Sequence, residues 1–426
     1  MDVPAWVPGR TFYQLHTLGA AGAPAANPDV GADAPSGRGL RRLEPWLDHV
    51  AGLGCGGVLL TPLFVSSSHG YDTVDPLRID QRLGDEKDFA SFAQACRTRD
   101  LKLILDGVLN HVGRDFPAFR DVLARGSESA YAGWFRLNFS RDGGDGFAYR
   151  DFEGHHELVA LNHDNGEVLA WADAVLRYWL DRGTNGWRLD AAYALPPFFL
   201  AALSERIRKD YPDVFLFGEV IHGDYVRFVT DSGLDAVTQY ELHKAIWSSL
   251  NDGNFFELAW ALARHREFVS SFAPVTFAGN HDVTRLASQL RDPRHLGPAL
   301  AVLFTVPGIP CVYYGDEFGW RGRKEFRSGG DDAIRPPLPA SPDPPGPEAA
   351  QTLRLHTELI AMRRARPWLT GADVEVTDLS NERITYTVSG PAGALLVVLA
   401  VTGPAACGQE GWTPVLAGDG WAICER

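Results

Sequence analysis

No stretch of this 426-residue chain reaches the roughly 18 consecutive apolar residues that a membrane-spanning helix needs. The opening residues, MDVPAWVPGR, lack the basic stretch and apolar run of a secretion signal, so a cytoplasmic protein is expected. Cysteine is sparse: Cys55, Cys96, Cys311, Cys407 and Cys424 stand singly in apolar surroundings. Without the paired spacing of a zinc site or a disulfide framework, all five are expected to be buried small hydrophobes. Positive charge is short as well, with 40 Lys and Arg against 54 Asp and Glu, a net charge of -14. That balance opposes binding to nucleic acid or an anionic membrane and suits a neutral ligand. No internal repeat is evident.

Hydrophobic residues make up 45% of the chain, enough for one large core with smaller attached modules. Short aliphatic runs alternate with amphipathic helical stretches, the rhythm of a parallel sheet wrapped in helices. Eight runs qualify as strands: 11–15, 57–63, 102–108, 186–190, 214–220, 236–240, 274–278 and 310–314. Eight β/α units imply an α/β fold of the (β/α)8 TIM-barrel type. Two stretches interrupt the alternation. A polar, aromatic, Gly-rich segment over 111–168 reads as a small subdomain inserted after strand three. The second, SGGDDAIRPPLPASPDPPGPE, reads as a long loop after strand eight. The barrel therefore occupies 1–110 and 169–368. Alternating runs such as RITYTVS and ALLVVLAV make 369–426 an antiparallel β domain.

In such a barrel the active site lies at the carboxyl ends of the strands, so charged residues closing apolar runs are the informative ones. Strand three ends in Asp106, with Asn110 and His111 following; strand four in Arg188 and Asp190; strand five in Glu219; strand seven runs into His281 and Asp282. Three of these carboxylates converging with one Arg and two His residues form an inventory for glycosidic bond cleavage. Retaining hydrolysis needs a nucleophilic carboxylate and a carboxylic acid about 5 to 5.5 Å apart. Arg188, two positions before Asp190, falls on the same strand face, where it would keep the nucleophile ionised. The acid Glu219 should then sit in the less polar environment, which raises its pKa. A metal-dependent barrel hydrolase would need closely spaced His ligands at strand ends, and strand one supplies only His16.

These segments resemble, in order and placement, the characteristic regions of the α-amylase family of glycoside hydrolases. DGVLNH (106–111), GWRLDAA (186–192), FGEV (217–220) and AGNHD (278–282) are similar to its four main regions; HGYDTVDP (69–76) and PGIPCVYYGDEFG (307–319) are similar to two more. The resemblance implies Asp190 as nucleophile, Glu219 as acid/base and Asp282 as transition-state stabiliser. It also implies that His111 and His281 hold sugar hydroxyls, that Tyr71 stacks on the sugar ring and that Asp106 supports Arg188. Arg335 falls where family α-glucosidases place an arginine that pairs with the acid after the YD tyrosine, here Asp72. That pair would close the cleft and favour small substrates.

SSSHGYDTVDPLRIDQRLG and NHVGRDFPAF look most like the neopullulanase and cyclomaltodextrinase branch, which implies short or cyclic α-glucans as substrates. VALNHDNGEV, around 159–168, matches neither usual variant of its family region. Hydrolysis, transglycosylation and isomerisation share one glycosyl-enzyme intermediate and stay open as activities, whereas a non-catalytic member would have lost the carboxylates. No cofactor is expected; calcium is allowed, on the strength of Asn110, but not expected to be essential. The expected partner is a small oligosaccharide. Many members of that branch carry an extra amino-terminal β domain that builds a dimer; strand one here begins near residue 11, and a homodimer is left open.

Overall fold

The computed structural model describes residues 3–27, 38–327 and 329–426. Eight strands form the core: β1 (Phe12–Leu15), β2 (Gly57–Leu60), β3 (Lys102–Gly107), β4 (Gly186–Leu189), β5 (Phe215–Gly218), β6 (Ala236–Val237), β7 (Val275–Phe277) and β8 (Ile309–Tyr313). They pair in parallel in the order β6-β5-β4-β3-β2-β1-β8-β7, and a parallel bridge from Thr238 to Val275 joins the two ends into a barrel. Every residue of β1, β2, β4, β5, β7 and β8 is buried, which is why these strands read as unbroken apolar runs. Helices such as Glu86–Thr98, Gly166–Leu180 and Pro197–Asp210 cover the outside. Gly308, at φ 110°, turns the chain into β8 where a Cβ would lie 2.5 Å from Pro274 O, so β7 and β8 approach only because no side chain intervenes.

All strands but β1 stop one to three residues before the apolar run does. At β4 and β5 one more ladder bond forms past the end, from Asp190 N to Gly107 O at 3.0 Å and from Glu219 N to Leu189 O at 2.9 Å. The chain then leaves the ladder. Asp190 and Glu219 are thus anchored by the barrel backbone yet project from its rim.

After β3 the chain builds the helix Pro117–Arg125, the ribbon Leu137–Asn138 with Ala148–Tyr149, and a sheet of His111–Gly113, His155–Ala160 and Asp151–Phe152. The next barrel helix begins at Gly166, capped by the Asn165 side chain, with its first three residues inside the range read as the insert. Between β8 and the helix Pro347–Arg364, the described residues hold only short 3-10 turns.

The remaining strands, β9 (Asp373–Leu379), β10 (Arg383–Gly390), β11 (Gly393–Ala400), β12 (Thr413–Gly418) and β13 (Trp421–Glu425), form an antiparallel sheet in the order β9-β10-β11-β13-β12. Along β11, Leu395, Val397 and Leu399 join the main core, whereas Leu396 and Val398 face the other way and pack with Cys424 under Ala405, Cys407 and Trp412. Both faces are covered, so ALLVVLAV is apolar throughout.

This cover corrects the cysteine expectation. Cys55, Cys96 and Cys311 are buried free thiols, but Cys407 and Cys424 form a disulfide, Cα atoms 6.3 Å apart, that ties the covering loop to β13. Their separation of 17 residues carries no signature; the partners meet only because the loop folds back over the sheet. Replacing Cys407 with Ala is expected to lower stability by about 2–4 kcal/mol, read by chemical denaturation under non-reducing conditions. An unchanged midpoint would show that the loop holds without its tether.

Candidate active site

Register sets the centre of the site. Arg188 on β4 lies directly opposite Asp106 on β3, so the two side chains share the inner face of the barrel. Arg188 is 3% exposed and Asp106 fully buried. Arg188 Nη1 meets Asp106 Oδ2 at 2.5 Å and Asp190 Oδ1 at 3.6 Å, while Nη2 meets Glu219 Oε1 at 2.7 Å. One guanidinium thus gathers three carboxylates.

The environments of the two central acids differ from the expectation. Glu219 sits among donors: Arg188, the Tyr240 hydroxyl at 3.1 Å and the Ala191 N–H at 3.0 Å. Ala191 adopts φ 45°, a left-handed conformation costing a non-glycine residue about 1–2 kcal/mol, and there it turns its N–H to Glu219. Among the described residues, the Asp190 carboxylate has only the long contact to Arg188. Burial, with Glu219 and Asp106 alongside, pushes its carboxyl well above the usual range. Burial also raises Asp106, to about 6 after the opposing pull of Arg188. Sequence spacing could not foresee this, because the sharing of Arg188 depends on strand register rather than on the two-residue step to Asp190. The net result is an unequal pair: Glu219 takes the donors, and Asp190 is left with the raised carboxyl.

Opposite this pair, His281 and Asp282 follow β7. Gln14 Nε2 donates to His281 Nδ1 at 3.1 Å, so the ring proton resides on Nε2, which reaches Asp282 Oδ2 at 3.0 Å and the Tyr71 oxygen at 2.5 Å. Tyr71 in turn donates to Asp106 Oδ2 at 3.2 Å. Burial lowers the His281 pKa to about 3, which keeps the imidazole neutral. Burial would raise Asp282, but His281, Arg335 and Arg188 outweigh it and hold this carboxyl near 2, ionised at any working pH. His111 is buried, stacks on Phe152 at 4.7 Å, and has its pKa lowered to about 3 by burial.

The expected Arg335–Asp72 pair does not form. Arg335 Nη2 pairs with Asp282 Oδ1 at 3.0 Å and Asp331 Oδ2 at 2.9 Å, and Nε donates to His281 O at 2.9 Å. Asp72 Oδ2 accepts from Ser68 Oγ at 2.7 Å instead. The reason is the loop path: Arg285, fully buried, donates to Tyr314 O, Asp316 Oδ1 and Ile334 O, tying Ile334 to the end of β8 so that Arg335 falls beside β7. Arg335 therefore holds Asp282 in place rather than closing the cleft. Arg335→Ala is expected to lower kcat by about 10- to 100-fold with a smaller change in KM, because an anchored charge acts mainly in the transition state. Steady-state kinetics that show KM alone rising would contradict this.

Gln14, Tyr240, Arg285 and Asn280, whose amide donates to the Tyr240 hydroxyl at 2.9 Å, were not singled out from sequence. Tyr240 and Gln14 do fall at or near the ends of predicted strands, which was the available signal. A cavity of about 540 Å3 lies beside Asp72, lined also by Ser68, His69, Arg114, His155 and Glu157. A second, of about 170 Å3, is lined by Asn110, Phe152, Glu153 and Ala194. Among the described residues, no group of three or more His, Cys, Asp or Glu side chains is placed to hold a metal ion, and the Asn110 amide is turned to His111 Nδ1 at 3.2 Å. Nor, among the described residues, is any helix long and apolar enough to cross a membrane.

Residues 40–337 match a family model described as the α-amylase catalytic domain. A cyclomaltodextrinase from a Bacillus species is 32% identical over 340 residues, covering 75% of this chain and 61% of its own length. The cyclomaltodextrinase of Geobacillus thermopakistaniensis is 30% identical over 402 residues, 89% of this chain and 67% of that one. Among solved structures, the cyclic α-maltosyl-(1→6)-maltose hydrolase from Arthrobacter globiformis, in complex with that sugar, is similar over the whole of both chains at TM-score 0.82 and 25% identity. The chain thus spans about six-tenths of the length of the Bacillus relative.

Proposed function

Because the chain belongs to the α-amylase family, we propose that it hydrolyses α-glucosidic bonds of short or cyclic α-glucans with retention of configuration, through Asp190, Glu219 and Asp282. The observation that carries the proposal is the single Arg188 shared by Asp106, Asp190 and Glu219, faced by an ionised Asp282. Double displacement needs one of the two acids protonated and the other ionised. With the proton on Glu219, the Asp190 carboxylate attacks the anomeric carbon as Glu219 protonates the departing glycosidic oxygen. The ionised Glu219 then takes a proton from water, whose oxygen displaces Asp190 and restores the starting state. Asp282, Tyr71, His111 and His281 surround the ring position; the neutral imidazoles donate to hydroxyls without adding positive charge near the oxocarbenium-like transition state.

Short and cyclic substrates are favoured by the names of the cyclomaltodextrinase and cyclic maltosyl-maltose hydrolase relatives, and by the cavity beside Asp72, which leaves room for a further sugar. Incubating the protein with maltotriose, cyclic glucans, pullulan and starch, with chromatographic separation of products, is expected to give faster turnover of maltotriose or cyclic glucans than of starch. Equal rates on starch and maltotriose would overturn the preference. No essential metal or cofactor is proposed, so activity should survive prolonged chelation; an irreversible loss restored by calcium would refute that. A cytoplasmic location agrees with a Bacillus subtilis relative named an intracellular maltogenic amylase. In a reducing compartment Cys407 and Cys424 would then be thiols. A homodimer is tested by light scattering.

A further inference from the structure

Among the described residues, four buried polar atoms without a hydrogen-bond partner gather at this end of the barrel: His16 Nε2, Asp72 Oδ1, Asp106 Oδ1 and His111 Nε2. Three belong to residues that the motif resemblance already assigns to the sugar site. His16 does not.

His16 directly follows β1 and is 5% exposed. Its Nδ1 accepts the Gly19 N–H at 3.0 Å, capping the turn that begins at Thr17. With Nδ1 occupied as an acceptor, the ring proton resides on Nε2. Burial, with the Arg335 charge and the rings of His281 and His69 beside it, pushes the His16 pKa well below the usual range, so no second proton is taken up. The ring lies 5.9 Å from that of His281, which touches Tyr71 and Asp282. The position is rigid: a Cβ on Gly19 would come within 2.5 Å of Arg335 O and 2.7 Å of His16 Nδ1. A neutral, immobile N–H donor with no acceptor therefore stands next to the ring-binding residues. His111 Nε2 shows the same signature on the β3 side.

The chemistry that satisfies such a donor is a hydroxyl, which accepts from an N–H while donating to a carboxylate. A carboxylate of that kind is present: Asp72 Oδ1, without a hydrogen-bond partner among the described residues, lies 3.9 Å from His69 Nδ1, whose charge in turn acts on His16. The geometry points to His16 as a further substrate-binding and specificity-determining residue, whose Nε2–H donates to a hydroxyl of the sugar held beside Tyr71 and His281. This rests on the α-glucan reading of the same cleft.

The test uses His16→Asn, which keeps an acceptor for the Gly19 N–H, since asparagine caps well, but removes the far-edge donor. The substrates are 4-nitrophenyl α-maltoside and analogues each lacking one hydroxyl of the sugar ring next to the cleaved bond. H16N is expected to keep its melting temperature and lose about 10- to 100-fold in kcat/KM. One analogue should cost the unaltered protein a similar factor, and H16N should turn over that analogue as fast as the unaltered protein does. Unchanged kinetics in H16N, as when an internal water satisfies the N–H, would overturn the inference. So would an equal further loss on every analogue, the mark of a merely structural role. Should H16N fail to fold, His16→Ser, whose short hydroxyl also caps the Gly19 N–H and leaves no donor at the far edge, takes its place in the same comparison. No turnover of any maltoside by the unaltered protein would refute the α-glucan reading itself, and this inference with it, so the two failures are distinguishable.

Discussion

Asp190→Asn is expected to lower kcat on maltotriose by a factor of about 10^4 or more while raising the melting temperature at neutral pH. The loss follows from the proposed chemistry, since an amide cannot form the glycosyl ester. The gain in stability follows from the charge arrangement. Asp190 is buried beside Glu219 and Asp106 with only a 3.6 Å contact to Arg188, and its carboxyl is raised well above the usual range. A carboxyl with a raised folded-state pKa binds its proton more tightly folded than unfolded. Its contribution to stability is therefore full below about pH 4 and is lost as pH rises through the folded value. Asparagine is neutral throughout and escapes that loss, so the gain should be largest at pH 7 to 8 and vanish near pH 4. Thermal melts of both proteins across that range, beside product analysis, decide the matter. Undiminished turnover would sink the mechanism; a lower melting temperature at pH 8 would sink the electrostatic account of the pocket.

Arg188→Met is expected to do the reverse to stability. The methionine leaves Asp106, Asp190 and Glu219 buried around a position that no longer holds a cation. Breaking such a buried network by removing one partner costs about 3–5 kcal/mol. The carboxyls relieve part of that cost by taking up protons. Asp106, already raised to about 6, would rise further, and the deficit relative to the unaltered protein should be smaller at pH 5 than at pH 8. Turnover should fall by about 10^2 to 10^3 or more, because neither acid keeps its aim. Arg188→Lys should rescue only part of it, since an ammonium cannot fork between two carboxylates as a guanidinium does. Denaturation curves at the two pH values give the test; a deficit that grows towards acid pH would contradict the network described here. Asp282 behaves in the opposite sense: held near 2, it adds stability above the ordinary carboxylate range that fades as pH falls through 2.

Much of this was legible in the chain alone. Local apolar runs marked all eight barrel strands, because strands buried on both faces need apolar residues regardless of their partners. The charged residues closing those runs marked Asp106, Arg188, Glu219 and Asp282, because the rim of a barrel is where a polar group can serve a ligand. What sequence could not supply was distance across the barrel. Glu219 was expected in the less polar setting, yet register and the left-handed turn at Ala191 surround it with donors. Arg335 was expected on Asp72, yet Arg285 steers its loop to Asp282. Cys407 found Cys424 only through a loop folded over β11 and β13.

The sequence by itself determined the barrel, the order of its acids and the family to which they belong. Those are properties of segments, set by the period of the apolar pattern and by the residues that end each run. Only the tertiary structure decided which carboxylates share Arg188, which side chain Arg335 meets, and that His16 Nε2 lies near His281 without a hydrogen-bond partner among the described residues. Those depend on contacts between residues far apart in the chain, and Coulomb and hydrogen-bond energies change steeply over a few ångströms that no sequence spacing specifies.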